Sequence, residues 1–433
     1  MPHINSKSKL LIQQFKTSLS AKTSNISNYV LRPGYDFTRQ RKISAFDCVN
    51  YTISLGGQSL QNSILDYFAE SPTSVSAPAM IYQRSKIKSA FYHDLVCDLT
   101  SEFSPSIRYK DYRLLAVDGS TLNVPLNPAD VDSYVLKKNG EHKGFNQLHL
   151  NAVSDCMTGT ILDANIQTIH YKNEIGAARD LLRSTQSLIK DKAIYIYDRG
   201  YNSYNLMVDH INSGSFFVIR AKNYEIWRTI IDPLLSEEKT VIDITKTILI
   251  SSISKAKELS MPVSIIPKNK FEFYGDDQMY KLKLRILRFM VGEAEEILIT
   301  NVFDKAITVD DFRAIYNYRW SIEGVFRKLK YDTNLIYIHS KNRNLQEQEI
   351  YGSILVHNIC SLIEYFENQL VDCVNKKIHA GRIRCLMTLF IKGRISADKF
   401  CKDIKSVLIC SKKGRSFPRN IKGKSFPSNY VRA

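Results

Sequence analysis

The chain has 433 residues, of which 44% are hydrophobic and 24% are charged. These values are ordinary for a folded protein and allow a large buried core in two or three domains, which excludes a mainly disordered chain. The charge balance is unusual, because 60 Lys and Arg against 43 Asp and Glu give a formal net charge of +17. This excess favours a polyanionic partner, nucleic acid first, although a basic protein with no nucleic-acid role stays open.

The cysteines and the apolar segments argue against a zinc knuckle, a secreted protein or a membrane protein. None of the eight cysteines forms a CxxC pair, and their scatter is typical of reduced thiols in the cytosol. The N-terminus has no long apolar stretch, so we predict no signal peptide. The apolar window 351–366 is interrupted by His357, Asn358 and Glu364, which favours a buried helix.

The first part of the chain, residues 1–103, is predicted to form an N-terminal helical domain. Apolar residues recur at nearly helical spacing between Lys86 and Leu99, and Pro72 and Pro78 mark a loop before them.

The next part, residues 104–222, changes to a pattern typical of an α/β sheet. Strands are expected at 113–118, 145–153, 160–166, 193–198 and 215–219, with helices at 174–190 and 204–211. Three strands followed by alternating helices and strands indicate a mixed sheet flanked by helices.

Three further segments are expected after this sheet. Residues 223–300 contain alternating stretches such as Tyr280–Ile286, which predict a β-rich insertion. Residues 301–340 return to a helical period, and residues 341–433 form a helical region with a basic tail. The tail, 411–433, has no acid and is equally consistent with a DNA-contacting arm and a solvated end.

Two aspartates, Asp118 and Asp198, each close an apolar run and precede small or turn residues. Carboxylates at the ends of neighbouring strands converge at one edge of a sheet and repel each other unless a cation lies between them. Magnesium suits such a site because it prefers oxygen ligands and keeps positions for water and phosphate. The alternative is that each Asp only starts a turn.

The segment from Val309 to Lys330 is predicted to be one amphipathic helix. At about 100° per residue, four residues fall within an arc of about 60°. These are Tyr316, Arg319, Glu323 and Lys330, flanked by Trp320 and Arg327, with Ile322, Val325 and Leu329 opposite. An acid among phosphate-gripping cations suits a metal facing a phosphate. The alternative is an ordinary helix in which Arg319 and Arg327 neutralise Glu323.

These residues resemble a known family. Tyr316, Arg319, Glu323 and Lys330 match the YREK signature of the insertion-sequence-four (IS-four) group of DDE transposases in type and spacing. The sequences around Asp118 (AVDGST) and Asp198 (YDRGY) resemble the two catalytic aspartate motifs of that group. The order of the acids and the β-rich insertion before the Glu also fit, and the resemblance covers roughly residues 110–340.

The resemblance implies an RNase H-like core in which Asp118, Asp198 and Glu323 hold two Mg²⁺ ions, with Mn²⁺ as a substitute. It also implies cut-and-paste transposition through a DNA hairpin, in which water and then a freed 3′-hydroxyl attack phosphorus. The proposed phosphate contacts are Tyr316, Arg319 and Lys330, with Arg327 beside them and Trp320 able to stack on a base. Trp227 is a second stacking candidate, although core packing is favoured for both tryptophans.

The partners implied are double-stranded DNA, as terminal inverted repeats and target, and a second copy of the chain in a synaptic complex. The N-terminal helices are expected to recognise DNA ends and the C-terminal helices to contact another subunit. The location expected is the prokaryotic cytoplasm, at the nucleoid when bound to DNA, without membrane contact.

Three alternatives keep the charge but change the chemistry: an inactive protein that only binds DNA ends, an RNase H-like nuclease that cuts without joining, and a basic scaffold. His149 and His170 are interpreted as structural, since a two-metal site needs no histidine base.

Overall fold

Helices dominate the chain before its first long strand. The computed structural model describes residues 7–69, 74–136, 144–222, 225–236, 240–371 and 376–410. The helices that precede the sheet are α1 (Lys7–Ser24), α2 (Ala45–Ser54), α3 (Leu60–Tyr67), α4 (Ala77–Arg84) and α5 (Ala90–Phe103). The expected helical character is confirmed. The helix expected from Lys86 begins later, because backbone hydrogen bonds join Lys86 to Leu31 and Lys88 to Tyr29.

The central sheet begins with a long strand and alternates with helices after its third long strand. Its first six strands are β1 (Arg113–Val124), β2 (Tyr134–Val135), β3 (Phe145–Asp155), β4 (Ile161–Thr168), β5 (Ala193–Tyr197) and β6 (Phe216–Arg220), with α6 (Glu174–Leu188) and α7 (Tyr204–Asn212) between the later ones. Strand β5 is buried at every position, as expected for a strand covered on both faces.

The pairing gives the order β4-β3-β1-β5-β6. Strands β4, β3 and β1 pair antiparallel, whereas β1, β5 and β6 run parallel. This order and these directions are those of an RNase H-like core, so the predicted fold class is confirmed.

The β-rich stretch that follows continues the same sheet. It contains α8 (Glu225–Ile231), β7 (Ile242–Ser251), β8 (Val263–Ile265), β9 (Met279–Val291) and β10 (Ala294–Thr300). Strand β10 pairs with β6, and β9, β7 and β8 extend the sheet outward to 10 strands. The expected β character is present, and its strands are hydrogen-bonded to the core through the β6–β10 pair.

The segment expected as one α-helix from Val309 to Lys330 departs from α-helical winding at two places. It comprises α9 (Val309–Asn317), a 3₁₀ turn (Tyr318–Trp320), α10 (Ser321–Arg327) and a π turn (Lys328–Asp332). Thr308 caps α9 in a capping box with Asp311. The backbone is right-handed helical at the junctions Trp320–Ser321 and Arg327–Lys328, so the path is continuous while its turns tighten and widen.

The last elements are α11 (Arg343–Asn368), β11 (Lys376–Ile378), α12 (Ala380–Ile391), α13 (Ala397–Lys405) and β12 (Leu408–Cys410). The buried helix expected at 351–366 is part of α11. None of the described helices has the length and apolarity that a membrane span requires. The basic tail lies outside the described residues.

Helix α11 joins the N-terminal helices to the sheet. Gln348 donates hydrogen bonds to the carbonyls of Arg84 and Ile87. Ten residues farther along the same helix, Asn358 exchanges two hydrogen bonds with the backbone of Ile161 in β4. The apolar core on this face contains residues from α1, α5, α10, α11 and α12 together with β1 and β3. Helices α6, α7 and α8 cover a second core on the other face.

Candidate active site

Asp118 lies in the middle of β1, so the expectation that it closes its strand is wrong. The strand continues for six residues beyond it to Val124 because its polar second half pairs with β3. In this pairing Asp118 stands opposite Ala152. The parallel partner β5 ends earlier, at Tyr197. Asp118 therefore lies beside the carboxyl end of β5, past the last β1–β5 pair.

Asp118 and Asp198 occupy equivalent levels on neighbouring strands. The parallel register pairs Ala116 with Ile196, so both aspartates lie two residues beyond the same rung. Asp198 follows β5 directly, and its Oδ1 accepts a hydrogen bond of 2.6 Å from the Gly200 N–H at the start of a 3₁₀ turn. The expected convergence of the two aspartates is therefore present in the register.

The surroundings of Asp118 disfavour its charged form. Burial raises the pKa of its carboxyl to about 6, and the negative charges of Asp198 and Glu174 act in the same direction. The Gly119 N–H, which donates to Asp118 Oδ1 over 2.8 Å, and the Arg319 guanidinium oppose this shift. A buried carboxyl facing two further acids is a place where a bound cation gains free energy.

A histidine that the sequence interpretation leaves as structural covers Gly119. A Cβ at residue 119 would stand 2.3 Å from His149 Nε2, so only glycine fits here. His149 is buried, and burial followed by the charge of Lys172 lowers its pKa to about 4. Its Nε2 lies 3.1 Å from Glu174 Oε1.

Glu174 is an acid near the site that sequence reasoning missed. It stands in the first turn of α6, pairs with Lys172 over 3.0 Å and contributes to the raised pKa of Asp118. The only sequence signal was its position at the start of a helix that follows a core strand.

Arg319 connects the third predicted acid to the first. Its Nη1 lies 3.6 Å from Asp118 Oδ2, and its Nη2 lies 3.3 Å from Glu323 Oε1. The guanidinium is buried and stacks over Trp320, with 4.1 Å between its Cζ and the ring centroid. The helical segment therefore brings Glu323 beside the sheet edge, and the Arg319–Glu323 pair considered in the alternative interpretation is also present.

The other predicted phosphate contacts differ in exposure. Tyr316 is buried, and burial raises the pKa of its hydroxyl, with Asp198 among the charges that act on it. Lys330 is half-buried, and burial lowers its pKa. Arg327 is exposed, as is Trp320, whose exposed fraction is 50%. Trp227, by contrast, is completely buried in the core that α8 covers and presents no ring to solvent.

A basic groove beside Asp198 was not predicted. It has a volume of about 540 Å³ and is lined by Arg199, Arg220, Lys222 and Arg228, with Glu295 at its wall. Tyr197 pairs with Ile219, so Arg220 lies level with Asp198 on the next parallel strand. The signal in the sequence was the Arg and Lys just after the apolar run of β6, at the carboxyl edge that also carries the aspartates.

The carboxylate oxygens of Asp118, Asp198 and Glu323 are suitable ligands for magnesium. They lie too far apart for all three residues to bind the same ion in this structure. Carboxylate oxygens are the ligands that Mg²⁺ prefers, and the burial that raises the pKa of Asp118, helped by the charges of Asp198 and Glu174, is offset when a cation binds there. Within the described parts of the chain, however, only His93, Cys97 and Asp163 place three possible ligand atoms within 4.8 Å of one another. A pair of ions is about 3.5–4 Å apart, so acids that bind different ions of a pair lie farther apart than ligands of one ion.

Comparison with known proteins identifies the family. The profile of the family described as "Transposase DDE domain" matches residues 109–359, which is more than half of the chain. No curated protein matches the sequence. Among solved structures, the chain is similar to the piggyBac transposase in a cryo-EM structure of its synaptic complex with hairpin DNA. That similarity covers 96% of this chain and 88% of the other, with 11% identity and a TM-score of 0.47, values that do not by themselves establish a common fold. On the strength of the profile match, the chain belongs to the DDE transposase domain family of phosphoryl-transfer enzymes.

Proposed function

We propose that this protein is a transposase of the IS-four group that excises and inserts a DNA element, with Asp118, Asp198 and Glu323 as its catalytic carboxylates. Membership of the DDE transposase domain family supports the reaction class. The YREK spacing of Tyr316, Arg319, Glu323 and Lys330 supports the group.

The observation that carries the proposal is the meeting of three distant chain segments at one sheet edge. Asp118 and Asp198 stand level on parallel strands, and Arg319 contacts both Asp118 and Glu323. Enzymes of this family use divalent metal ions. Two Mg²⁺ ions, or Mn²⁺ in their place, held by these three carboxylates would supply Lewis-acid activation and neutralise charge on the phosphodiester.

The residues of the chain have separate roles in this proposal. The three carboxylates bind the ions and fix their positions, while the Gly119 and Gly200 N–H groups orient the two aspartates. Arg319 would contact a phosphate of the bound DNA, because ions held by Asp118 and Glu323 would neutralise the acids that it contacts in this structure.

The cations around the edge are proposed to hold DNA. Lys330 and Arg327 follow Glu323 along the helical segment, and the groove with Arg199 and Arg220 lies on the other side of Asp198. Burial disfavours the charge of the Lys330 ammonium in the absence of an anion. A phosphate beside it would therefore stabilise the charged form. The proposed role of Trp320 is to stack on a base flipped out of a hairpin end, and its exposure supports this role.

The proposed substrates are the terminal inverted repeats of an element and a target duplex, held by two copies of the chain. The net charge of +17 supports binding to a polyanion. Affinity for a short end duplex should therefore fall steeply between low and moderate salt.

The decisive experiment incubates the protein with Mg²⁺ and DNA that carries the ends of its element. Asp118→Asn, Asp198→Asn and Glu323→Gln keep side-chain size but remove charge. Each should lower cleavage and joining by at least about 10²- to 10³-fold, while binding of end DNA persists. The matched control is Asp310→Asn on α9, where an exposed acid pairs with Arg313 over 2.8 Å, and it should retain activity.

The products separate the alternatives. Hairpin ends followed by joined products support the full proposal, and cleavage without joining identifies a nuclease. Binding without cleavage by the wild type identifies an inactive end-binding protein. Cleavage that survives any one of the three substitutions overturns the assignment of the carboxylates.

A further inference from the structure

A cluster of three different metal-binding side chains lies away from the candidate active site. His93 and Cys97 stand one turn apart on α5, and Asp163 lies on β4. His93 Nε2 is 2.7 Å from Asp163 Oδ1 and 3.8 Å from Cys97 Sγ, and all three ligand atoms lie within 4.8 Å of one another. No other trio of His, Cys, Asp or Glu in the described parts of the chain is as close.

These distances are near those of a tetrahedral zinc site. Ligands 2.0–2.3 Å from zinc lie about 3.4–3.6 Å apart at tetrahedral angles. The nitrogen and oxygen therefore need to separate by about 0.7 Å, and the sulfur and nitrogen need to approach each other by about 0.2–0.4 Å. The proposal assigns these adjustments to side-chain rotations, because two ligands share one helix face and the third faces them from a strand.

The groups behind the three ligands are those that metal sites use to orient them. On the other side of the imidazole, His93 Nδ1 faces Asp94 Oδ1 at 3.6 Å, and the Tyr29 hydroxyl donates to Asp94 Oδ2 over 2.7 Å. The second oxygen of Asp163 accepts a hydrogen bond from the Ser184 hydroxyl. A carboxylate behind the free nitrogen of a ligating histidine, and a donor behind a ligating carboxylate, are the usual outer partners of zinc ligands.

Burial and access also suit a bound ion. The side chain of Asp163 is 5% exposed, whereas that of His93 is 32% exposed, so an ion can reach the imidazole from solvent. A cation there would face a buried carboxylate and a thiol, both of which bind more tightly when deprotonated.

We propose that His93, Cys97 and Asp163 bind one Zn²⁺ or a similar thiophilic divalent ion, with water in the fourth position. The thiol favours zinc over magnesium, which prefers oxygen ligands. This ion would join helix α5 to strand β4 of the RNase H-like core, as a structural clamp distinct from the Mg²⁺ ions proposed at Asp118. The proposal does not depend on the transposase reaction.

Cobalt provides a test with a readout other than activity. Full-length protein, freed of metal with a chelator and kept reduced, is titrated with Co²⁺ in the presence of excess Mg²⁺. We expect one equivalent to give a thiolate-to-cobalt charge-transfer band in the near ultraviolet and visible bands typical of tetrahedral cobalt. One equivalent of Zn²⁺ should abolish both. A carboxylate site, including the proposed catalytic site, gives no thiolate band.

Two substitutions and one control locate the ion. Cys97→Ser should remove the charge-transfer band, and Asp163→Asn should weaken Co²⁺ binding by at least about tenfold. Cys385→Ser replaces an exposed free cysteine on α12 and should change neither. Circular dichroism confirms that each variant is folded.

The wild type alone is able to refute the proposal. Absence of the charge-transfer band from folded wild-type protein overturns it and leaves the trio as a hydrogen-bonded contact between α5 and β4. A band that survives Cys97→Ser, or that disappears in Cys385→Ser, places the ion elsewhere and also overturns it.

Discussion

Gly119 and His149 are in contact across the β1–β3 ladder, where the imidazole occupies the space that a side chain at residue 119 would need. The site at Asp118 therefore depends on a strand glycine for packing.

Gly119→Ala should destabilise the protein by about 1–3 kcal/mol, because the added methyl group forces His149 out of its buried position. End cleavage should fall as well, because relief of this clash shifts the strand backbone and with it the residue 119 N–H that orients the Asp118 carboxyl. Denaturant unfolding and a cleavage assay measure the two effects.

Gly324→Ala on α10 is the matched control, because a Cβ there meets nothing within 4 Å. It should stabilise the helix by about 0.5–1 kcal/mol. The double variant Gly119→Ala with His149→Ala should recover part of the lost stability, and the absence of any recovery would contradict the steric explanation.

Arg319→Gln should raise the Mn²⁺ affinity of the DNA-free protein by about tenfold, because two acids lose the cation that now competes with metal ions. Strand cleavage should nevertheless fall, since the same guanidinium is proposed to hold a phosphate. Isothermal titration with Mn²⁺ gives the affinity. Arg327→Gln, which removes an exposed cation from the same helical segment, should leave it nearly unchanged. A lower Mn²⁺ affinity in Arg319→Gln would show that the arginine organises the carboxylates and does not compete for them.

Glu349→Gln should lower the free energy of unfolding by about 3–5 kcal/mol, because it leaves Arg84 buried without its charge partner. The pair joins α4 to α11 with 3.1 Å between Arg84 Nη2 and Glu349 Oε1, and both side chains are almost fully buried. Denaturant titration provides the measurement. Asp180→Asn breaks an exposed pair with Arg183 and should cost less than about 1 kcal/mol. Similar losses in the two variants would show that burial does not strengthen the dependence of Arg84 on its partner.

His357→Gln should make stability less sensitive to acid. Burial lowers the pKa of His357 to about 4, whereas an unfolded histidine titrates near about 6.5. The unfolded state therefore binds a proton first, and the stability present above about pH 6.5 is lost as the pH falls toward 4. This difference in pKa corresponds to about 3 kcal/mol. Gln keeps a donor for the Gly159 carbonyl, which accepts over 2.9 Å, but does not titrate. The free energy of unfolding is measured at pH 7 and at pH 4 for both proteins. Equal losses of stability in wild type and variant would refute the role of His357 in acid sensitivity.

The order of strands and helices in the core was predictable because their apolar runs are continuous. β5 is buried along its whole length, and α6 and α7 follow at the expected places. The level positions of Asp118 and Asp198 follow from two similar runs that both end in an acid. The extension of β1 to Val124 was not predictable, since those half-polar residues are held by distant residues of β3.

The changes of helix type within residues 309–332 could not be predicted from the sequence pattern either. Apolar spacing sets which side chains face the sheet, and Ile322, Val325 and Leu329 are buried as expected. Spacing does not reveal where turns tighten or widen, because no proline marks the 3₁₀ turn or the π turn. The β-rich stretch was predictable in type, but its pairing with β6 depends on long-range register.

Helix α11 also limits how this protein can be divided. The stretch that matches the transposase family ends at residue 359, inside α11, and begins after the helices against which α11 packs. A fragment cut at those limits would expose the apolar side of α11 to water and lose its hydrogen bonds to Arg84 and Ile87. The helices before β1 are thus part of the folding unit of the enzyme, and deletions on either side of the matched stretch should yield aggregated protein instead of a smaller catalyst.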